Sequence, residues 1–453
     1  MLRRWAEQLP GLVGTNSSTW ELLLRGAVSV LGITAIAQLL TLGLQLLFAR
    51  LLGPTEFGVY SFVFAGLGLC LILAKLGLDT TLIRLVAEFV AGGNLGRLRG
   101  LVKIARMTGP LRGIFVGLGA LLIVTNTGEP ESPSLYRALV VAVVLLPLAV
   151  YSELTAATLR GLRQVGVALV GDGIVRPCVA GAAILVVAAL WPATLTGSSA
   201  LLAYLAGTVA SLTVTSVVLH RVLPKAAATA DFTDIRRYLR IATSLMLAGG
   251  FLVAMYSLDT VMLGVLADTT TAGFYSVASR IAIFVLFVMN AAQAVAAPML
   301  AAASASKGPS ELRGVVRTLN ALSIAAAVPA SVLLLLAAEP IMEMFGAEFR
   351  EAVPALRILV FSQLLNVLTG PTGMVLSMTG QERSLVRLLF AGLAVNALLN
   401  LLWIPAYGLV GAAASALVAH AGWNLAGVFL IKSRLGIDIT PLDLFRRAEV
   451  RPG

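Results

Sequence analysis

Thr34, Gln38, Thr41 and Gln45 follow one another at i, i+4, i+7 and i+11 in an otherwise apolar stretch. On a helix this spacing aligns them in one polar stripe. The chemistry open to such amides and hydroxyls is hydrogen bonding, and the stripe has two readings: the face of a cavity holding a polar cargo, or the contact that glues one membrane helix to another. Asp259 places a carboxylate in a second apolar stretch, with Tyr256 one turn before it, and Arg280 places a guanidinium in a third, near Ser276 and Asn290. Either these two charges neutralise each other, or Asp259 titrates or binds a coupling cation while Arg280 meets an anion. Arg112 has no carboxylate in its own stretch and is a second candidate for an anion. Asp172 and Arg176, four residues apart, read as a structural ion pair.

The remaining intramembrane polar groups read mainly as packing contacts: Asn396, Asn400 and Trp403 on one face, Gln363 with Asn366, and His420 with Asn424, where a proton relay is the lesser alternative for His420. No phosphate-cradling glycine loop and no paired-histidine metal site occurs. No extramembrane segment is long enough to fold into a catalytic domain. The expectation is therefore no enzyme, no cofactor and no metal, with work driven by an ion gradient or by the cargo's own gradient.

The elements that must hold these residues are membrane helices. Hydrophobic residues make up 58% of the 453 and charged residues 12%, against roughly 45–50% and about 25% in soluble domains. A bilayer core of ~30 Å needs ~20 apolar residues per helix. Twelve such stretches occur, at about 26–52, 56–78, 110–126, 136–157, 165–190, 199–220, 241–265, 273–299, 315–338, 353–377, 384–403 and 408–431. Prolines at Gly53-Pro54, Trp191-Pro192, Glu339-Pro340 and Ile404-Pro405 predict helix exits. The first stretch is too long for a cleavable signal core and reads as an uncleaved span. Residues 1–22, with Trp5, read as an interfacial helix or a frayed tail. Cys70 and Cys178 lie inside apolar runs, with no metal or disulfide spacing.

The chain also repeats itself. Leu98-Arg99-Gly100-Leu101-Val102-Lys103 returns as Leu312-Arg313-Gly314-Val315-Val316-Arg317, and Phe57-Gly58-Val59-Tyr60 is answered by Gly273-Phe274-Tyr275, at an offset of about 215 residues. Thr158-Leu159-Arg160-Gly161 and Met378-Thr379-Gly380 keep nearly the same register. This divides the chain into an N-terminal segment (1–22), an N-lobe of six spans (23–222), a linker (223–240), a C-lobe of six spans (241–432) and a tail (433–453). The net charge of +11 does not point to nucleic acid, because Lys and Arg recur at alternate joints and not in one patch. Only Arg50, Arg137 and Arg350 occupy odd joints, and Arg112, Arg176, Arg280 and Arg357 lie in spans; the rest sit in the tails and even joints. By the positive-inside rule, both termini and all even joints are cytoplasmic. Six spans per half give both halves one orientation, so the expected fold is all-α, with a pseudo-two-fold axis along the membrane normal. Arg99, Lys103 and Arg106, opposite Leu98, Leu101, Val102 and Ala105, predict a helix lying on an anionic membrane surface. The repeat brings Gln45 and Asp259 to matching depths, which places the working site between them.

The run Phe48-Ala49-Arg50-Leu51-Leu52-Gly53-Pro54-Thr55-Glu56-Phe57-Gly58-Val59-Tyr60 resembles the opening of the polysaccharide transporter family. These are the Wzx-type lipid-linked oligosaccharide flippases of the multidrug/oligosaccharidyl-lipid/polysaccharide exporter superfamily. Leu76-Gly77-Leu78, Leu82 through Glu88, Leu258 through Gly264 and Gly273-Phe274-Tyr275 are similar to that family as well. The resemblance implies two six-helix lobes around a central cavity that opens alternately to either side of a bacterial inner membrane. It implies a cargo of oligosaccharide on undecaprenyl diphosphate, moved from the inner to the outer leaflet for surface polysaccharide, alongside a glycan polymerase and other assembly proteins. On that reading Thr34, Gln38, Thr41 and Gln45 contact sugar, Arg112 and Arg280 attract the diphosphate, and Asp259 is the coupling group. The alternatives are a cation-coupled drug or metabolite antiporter of the same superfamily and, more distantly, an integral-membrane glycan polymerase or ligase.

Overall fold

Glycine, proline and capping side chains decide where the helices stop. Ser132 accepts a hydrogen bond from the Leu135 N–H (3.1 Å) ahead of Pro133, and Asp268 accepts one from the Thr271 N–H (2.8 Å), each satisfying a donor left open by its helix. Thr196 and Ser199 form a capping box at the start of another helix. The computed structural model describes residues 17–127, 132–224, 231, 235–287, 289–290, 309–436 and 439–440. The N-terminal segment up to residue 16, most of the inter-lobe linker and the tail from residue 441 lie outside the described residues.

The helices are α1 (Ser17–Lys75), α2 (Leu78–Ala91), α3 (Leu95–Thr127), α4 (Pro133–Gly161), α5 (Val165–Leu190), α6 (Gly197–Val222), α7 (Ile235–Leu266), α8 (Thr269–Ala282), α9 (Pro309–Leu336), α10 (Ala338–Glu343), α11 (Val353–Leu368), α12 (Thr372–Met378) and α13 (Glu382–Leu435). The fold is all-α, and ten helical stretches among the described residues are long and apolar enough to cross a membrane. The two longest helices are kinked. α1 leaves helical geometry at Gly53 (φ 73°) and α13 at Gly408 (φ 52°), a left-handed conformation that glycine adopts without a Cβ penalty. Large apolar side chains such as Leu39, Phe115, Leu122, Leu333 and Phe429 are exposed on the outer faces of these helices, as contact with lipid requires.

Three expectations change. The helix exit predicted at Ile404-Pro405 is absent, because α13 runs through both residues and turns only at Gly408. Proline is tolerated inside membrane helices, and the positive-φ glycine is what redirects the chain. α7 begins at Ile235, so the segment joining the halves is shorter than the predicted 223–240. The basic stretch from Leu98 to Arg106 is no separate surface helix. It is the first part of α3, and its apolar face is covered by protein: Leu98, Leu101, Val102 and Ala105 are buried against Leu82, Leu85 and Phe89 of α2 and Tyr238 of α7. α2 has an apolar face of its own, and two amphipathic helices bury more apolar surface against each other than either does on lipid headgroups. The repeated glycine has a steric reason in one copy: a β-carbon on Gly100 would strike the Asp231 carbonyl, whereas Gly314 has open space.

The buried apolar residues form one core shared by both halves and further cores belonging mainly to one. The shared core contains Phe48, Phe57 and Tyr60 of α1 with Phe274, Tyr275, Phe349 and Leu356 from the second half. Toward the basic joints, α2, α3 and α4 hold a separate cluster, and α9, α12 and α13 hold another. The first of these clusters also takes in Tyr238 and Ala242 at the start of α7. Where the halves meet, residues 215 apart in the sequence touch. Gly58 packs on Gly273, leaving no space for a β-carbon on either, and the Ser276 hydroxyl donates to the Ser61 hydroxyl across 3.0 Å. Beside this contact Arg50 donates to the carbonyls of Met344 (2.6 Å) and Glu343 (3.1 Å), and Arg350 pairs with Glu339 and Glu343.

Candidate functional site

The polar stripe of α1 does not act as a unit. Thr34 and Thr41 donate their hydroxyls to the carbonyls one turn back, Val30 (2.7 Å) and Ala37 (2.8 Å), so part of their hydrogen-bonding capacity is spent within the helix. Thr41 and Gln45 reach a cavity of about 90 Å³; Thr34 and Gln38 do not line it. Gln45 is buried, and its side-chain carbonyl has no hydrogen-bond partner, so it presents an unused acceptor to the cavity wall.

The same cavity is lined by Tyr60 and Phe64 of α1, Asp172, Arg176 and Pro177 of α5, Tyr204 of α6, and Arg280 of α8. It therefore lies where α8, from the second half, meets helices of the first. Arg280 makes no hydrogen bond or ion pair with any described residue. Arg176 is held: one guanidinium nitrogen donates to Asp172 (2.5 Å) and Ser152 (3.1 Å), another lies 3.4 Å from the Tyr204 hydroxyl, and the guanidinium sits 5.8 Å from the Tyr204 ring. Its Nε–H is buried without a partner. The expected Asp172–Arg176 pair is thus present. It is also part of something larger, since Asp172 accepts from Ser211 (3.1 Å) and lies 3.5 Å from Arg160. Asp172 falls in a five-residue π-helical turn, Gly171–Val175, inside α5. Such turns are rare and frequently mark functional positions.

Asp259 belongs to a second, water-sized cavity of about 10 Å³, together with Tyr256, Tyr275, Gln363 and His420. Its carboxylate accepts from the Tyr275 hydroxyl (2.7 Å) and the Asn400 amide (2.7 Å), and Asn400 also donates to Asn396 (3.3 Å). The alternative of an Asp259–Arg280 salt bridge is not realised: the two side chains line different cavities. Gln45 lines the first cavity with Tyr60, and Asp259 the second with Tyr275. Arg112 is not brought to Arg280. It lines neither cavity, and its Nε and one terminal nitrogen are buried without partners. His420 lies against Tyr256, ring centroids 5.7 Å apart, and 3.3 Å from the Ser362 hydroxyl.

Sequence reasoning missed Tyr60, Tyr204, Asn400 and Tyr275 as site residues. Tyr60 and Tyr275 stand in the echo around Gly58 and Gly273, but an echo marks position and not ligands. Asn400 carried the signal of an amide inside a span, but nothing in its spacing links it to α7. The charged chain below the first cavity was also missed: Lys75 joins Asp79 (2.8 Å) and Glu153 (4.0 Å) at the basic end of the first half.

A family model described as polysaccharide biosynthesis protein matches residues 23–304, and a second, described as MatE, matches residues 245–402. No curated protein matches the chain. Among solved structures, an inward-facing multidrug resistance MATE family transporter of the MOP superfamily superposes with a TM-score of 0.71 at 12% identity, covering 90% of this chain and 98% of that one. The lipid II flippase MurJ in an inward closed conformation gives 0.69 at 14%, covering 88% and 86%. A MOP superfamily transporter from Pyrococcus furiosus, described as having a binding pocket of reversed polarity, gives 0.63 at 13%, covering 91% and 95%. At these identities the likeness shows the fold, which is that of the MOP superfamily transporters.

Proposed function

The chain belongs to the polysaccharide biosynthesis protein family, and from that premise we propose that it is an alternating-access transporter whose cargo carries a phosphate-type anion, a lipid-linked oligosaccharide flippase. One observation carries this reading. Arg280 and Arg176 converge on one cavity from the two halves of the chain, and Arg280 has no counter-charge among the described residues. Arg280 is half-buried at the cavity wall with its charge unneutralised, and a diphosphate is the group its planar fork fits best. Gln45 and Thr41, on the same wall, supply contacts for hydroxyls of a sugar. Asp259, held by two neutral donors, is the coupling group. Arg112 drops out of the diphosphate site, and Arg176 takes its place.

The kinks at Gly53 and Gly408 divide α1 and α13 into two arms each. Counting arms gives twelve spans in two six-span lobes, with both termini on the basic, cytoplasmic side of a bacterial inner membrane. The contacts of Gly58 with Gly273 and Ser61 with Ser276 support a pseudo-two-fold axis passing between α1 and α8, because a residue touches its own repeat only near the axis. They also lie near the odd joints, so the cavity is closed toward the outside here. A cavity of about 90 Å³ is far below the ~300–1,000 Å³ of ligand pockets, and cargo enters only after the lobes part.

A cation-coupled drug or metabolite antiporter is the second reading, and the comparisons support it more broadly. Most of the solved relatives are multidrug or MATE transporters, and the MatE match spans Asp259. Charge separates the two. An exporter of cationic drugs needs free carboxylate in its lumen, whereas Asp172, the carboxylate in the larger cavity, is taken by Arg176. The test is reconstitution with a fluorescent short-chain lipid-linked diphosphate sugar in one arm and a cationic dye in the other. The wild type is expected to move the lipid, and Arg280→Ala to slow it at least tenfold with the protein still folded. Undiminished lipid transport by Arg280→Ala sinks the anion role, and dye efflux without lipid transport establishes the antiporter.

A further inference from the structure

Asp172 bridges two arginines, of which only Arg176 lines the cavity. On one oxygen it accepts from Arg176, which lines the lobe-interface cavity, and from Ser211; its other oxygen lies 3.5 Å from Arg160, in the last turn of α4 at the cytoplasmic end of the first half. The two sides are unequal. The Arg176 contact is a 2.5 Å hydrogen bond, while the Asp172 oxygen facing Arg160 is buried and makes no hydrogen bond at all. Arg176 likewise keeps a buried Nε–H without a partner. Both ends of the bridge therefore have unused capacity: the carboxylate for Arg160, and the guanidinium for another acceptor. Lys75 lies 2.8 Å from Asp79 and 4.0 Å from Glu153, and the Glu153 carboxylate is close enough to act electrostatically on both Asp172 and Arg176.

The local backbone suits an exchange of partners. Asp172 stands between Gly171 and Gly173 in the π-helical turn, with Gly171 packed on Ser211 and Thr215 of α6 and Gly173 on Ala37 of α1. A π-helical turn carries one residue more than an α-helical turn, and passing it along the helix changes the direction of the side chains within it. Gly171 and Gly173 also put no side chain in the way of such a shift.

We propose that Asp172 is a resident competitor for the anion at Arg176. A phosphate-type anion arriving between Arg176 and Arg280 takes the Arg176 fork, Asp172 passes to Arg160, and its return to Arg176 expels the anion. The exchange forms and breaks ion pairs only. It deepens the proposed function and rests on its anion site: the carboxylate keeps an otherwise dicationic cavity from holding its cargo too tightly to release. Asp172 is thus a specificity-determining residue, since a weak or neutral ligand does not displace it.

The test uses detergent-solubilised full-length protein titrated with inorganic pyrophosphate and, separately, farnesyl diphosphate. The two arms separate a free anionic cargo from a lipid-linked one. Asp172→Asn removes the competitor and is expected to tighten binding by roughly tenfold or more, the size expected of one nearby like charge. Arg160→Gln removes the alternative partner and is expected to weaken binding, leaving Asp172 on Arg176. A purely structural role moves both variants the same way, so opposite signs are the signature, and equal thermal melting confirms that both are folded. Should Asp172→Asn misfold, Arg160→Gln alone decides, because unchanged or tighter binding by it overturns the exchange. If the wild type binds in an Arg280-dependent manner and Asp172→Asn does not bind more tightly, the competitor role is wrong while the anion site stands. If neither probe binds wild type or Asp172→Asn, the anion site and the exchange fall together.

Discussion

Replacing Asp259 by Asn separates what this carboxylate does for the fold from what it does for transport. It is buried in α7 and accepts two hydrogen bonds of 2.7 Å, one from the Tyr275 hydroxyl and one from the Asn400 amide. An Asn of the same shape keeps one oxygen for the Asn400 amide and turns its own N–H₂ to the Tyr275 hydroxyl, which can accept. Both contacts survive in altered polarity, so the expected loss of stability is no more than about 1 kcal/mol. Asp259→Leu is the control. It strands two buried donors at ~1–3 kcal/mol each, a loss of about 2–6 kcal/mol. The measurements are thermal melting in detergent and lipid transport into vesicles with and without an imposed proton or sodium gradient. The Asn variant should melt near the wild type and bind cargo, yet transport no faster with a gradient than without one. If Asp259→Asn retains the full gradient dependence of the wild type, Asp259 is a structural acceptor and the coupling assignment is refuted.

Other outcomes follow from the contact between repeats and from the charged end of the first half. In a background lacking Cys70 and Cys178, Ser61→Cys with Ser276→Cys is expected to crosslink under mild oxidation, since the hydroxyls lie 3.0 Å apart and a disulfide needs ~2.0 Å between sulfurs. Transport should stop and return on reduction; a crosslink that leaves transport unaffected contradicts an outer closure at this point. A β-carbon on Gly58 would strike the backbone at Thr269 and Thr270. Gly58→Ala should therefore hold the outer side ajar and speed labelling of Ser61→Cys by a membrane-impermeant maleimide several-fold, and an unchanged rate argues against it. Burial pushes the Asp79 carboxyl up, but the Lys75 ammonium 2.8 Å away and the Thr80 N–H outweigh it and hold the group below the usual carboxylate range. A depressed carboxyl stabilises the fold above its unfolded value, and the contribution is lost as pH falls through its folded value. Asp79→Asn should thus cost about 1 kcal/mol at neutral pH and nothing in acid below the carboxylate range, and a cost independent of pH rules out the ion pair as its source.

Membrane character and the all-α make-up were legible because each rests on composition or on long periodic runs. A hydrophobic stretch of bilayer length has one stable form, and the repeat around Gly58 and Gly273 is local in sequence. What stayed hidden depends on rotation about the helix axis. The stripe from Thr34 to Gln45 is a correct helical face, but its N-terminal half misses the cavity while Thr41 and Gln45 reach it. Arg112, Arg176 and Arg280 look alike as lone arginines in apolar runs, and only packing shows that the last two meet. The surface helix expected at Leu98 to Ala105 failed for a related reason: amphipathicity says that one face must be buried, not whether lipid or α2 buries it.

The distribution of apolar cores bears on which side opens. Toward the odd joints, aromatic side chains of both halves interlock, with Phe349 packed against both Phe57 of α1 (5.7 Å) and Phe274 of α8 (4.9 Å), and the backbones of Gly58 and Gly273 in contact. Separating these surfaces exposes apolar area at about 25 cal/mol per Å² and breaks the Arg50 hydrogen bonds as well. Toward the basic joints the halves keep separate cores, joined where the start of α7 lies on α2 through Gly77, Ala242 and the Phe89–Tyr238 contact. The core shared by both halves lies at the other end, so on the proposed orientation the cytoplasmic side is expected to part first. On the proposed function a lipid-linked cargo would arrive from that side, where Arg160, Lys75 and the other basic residues of the even joints would meet its phosphates. The arginine pair it would then reach is Arg176 and Arg280, and on the proposal above Asp172 would keep that pair from holding it too tightly to release.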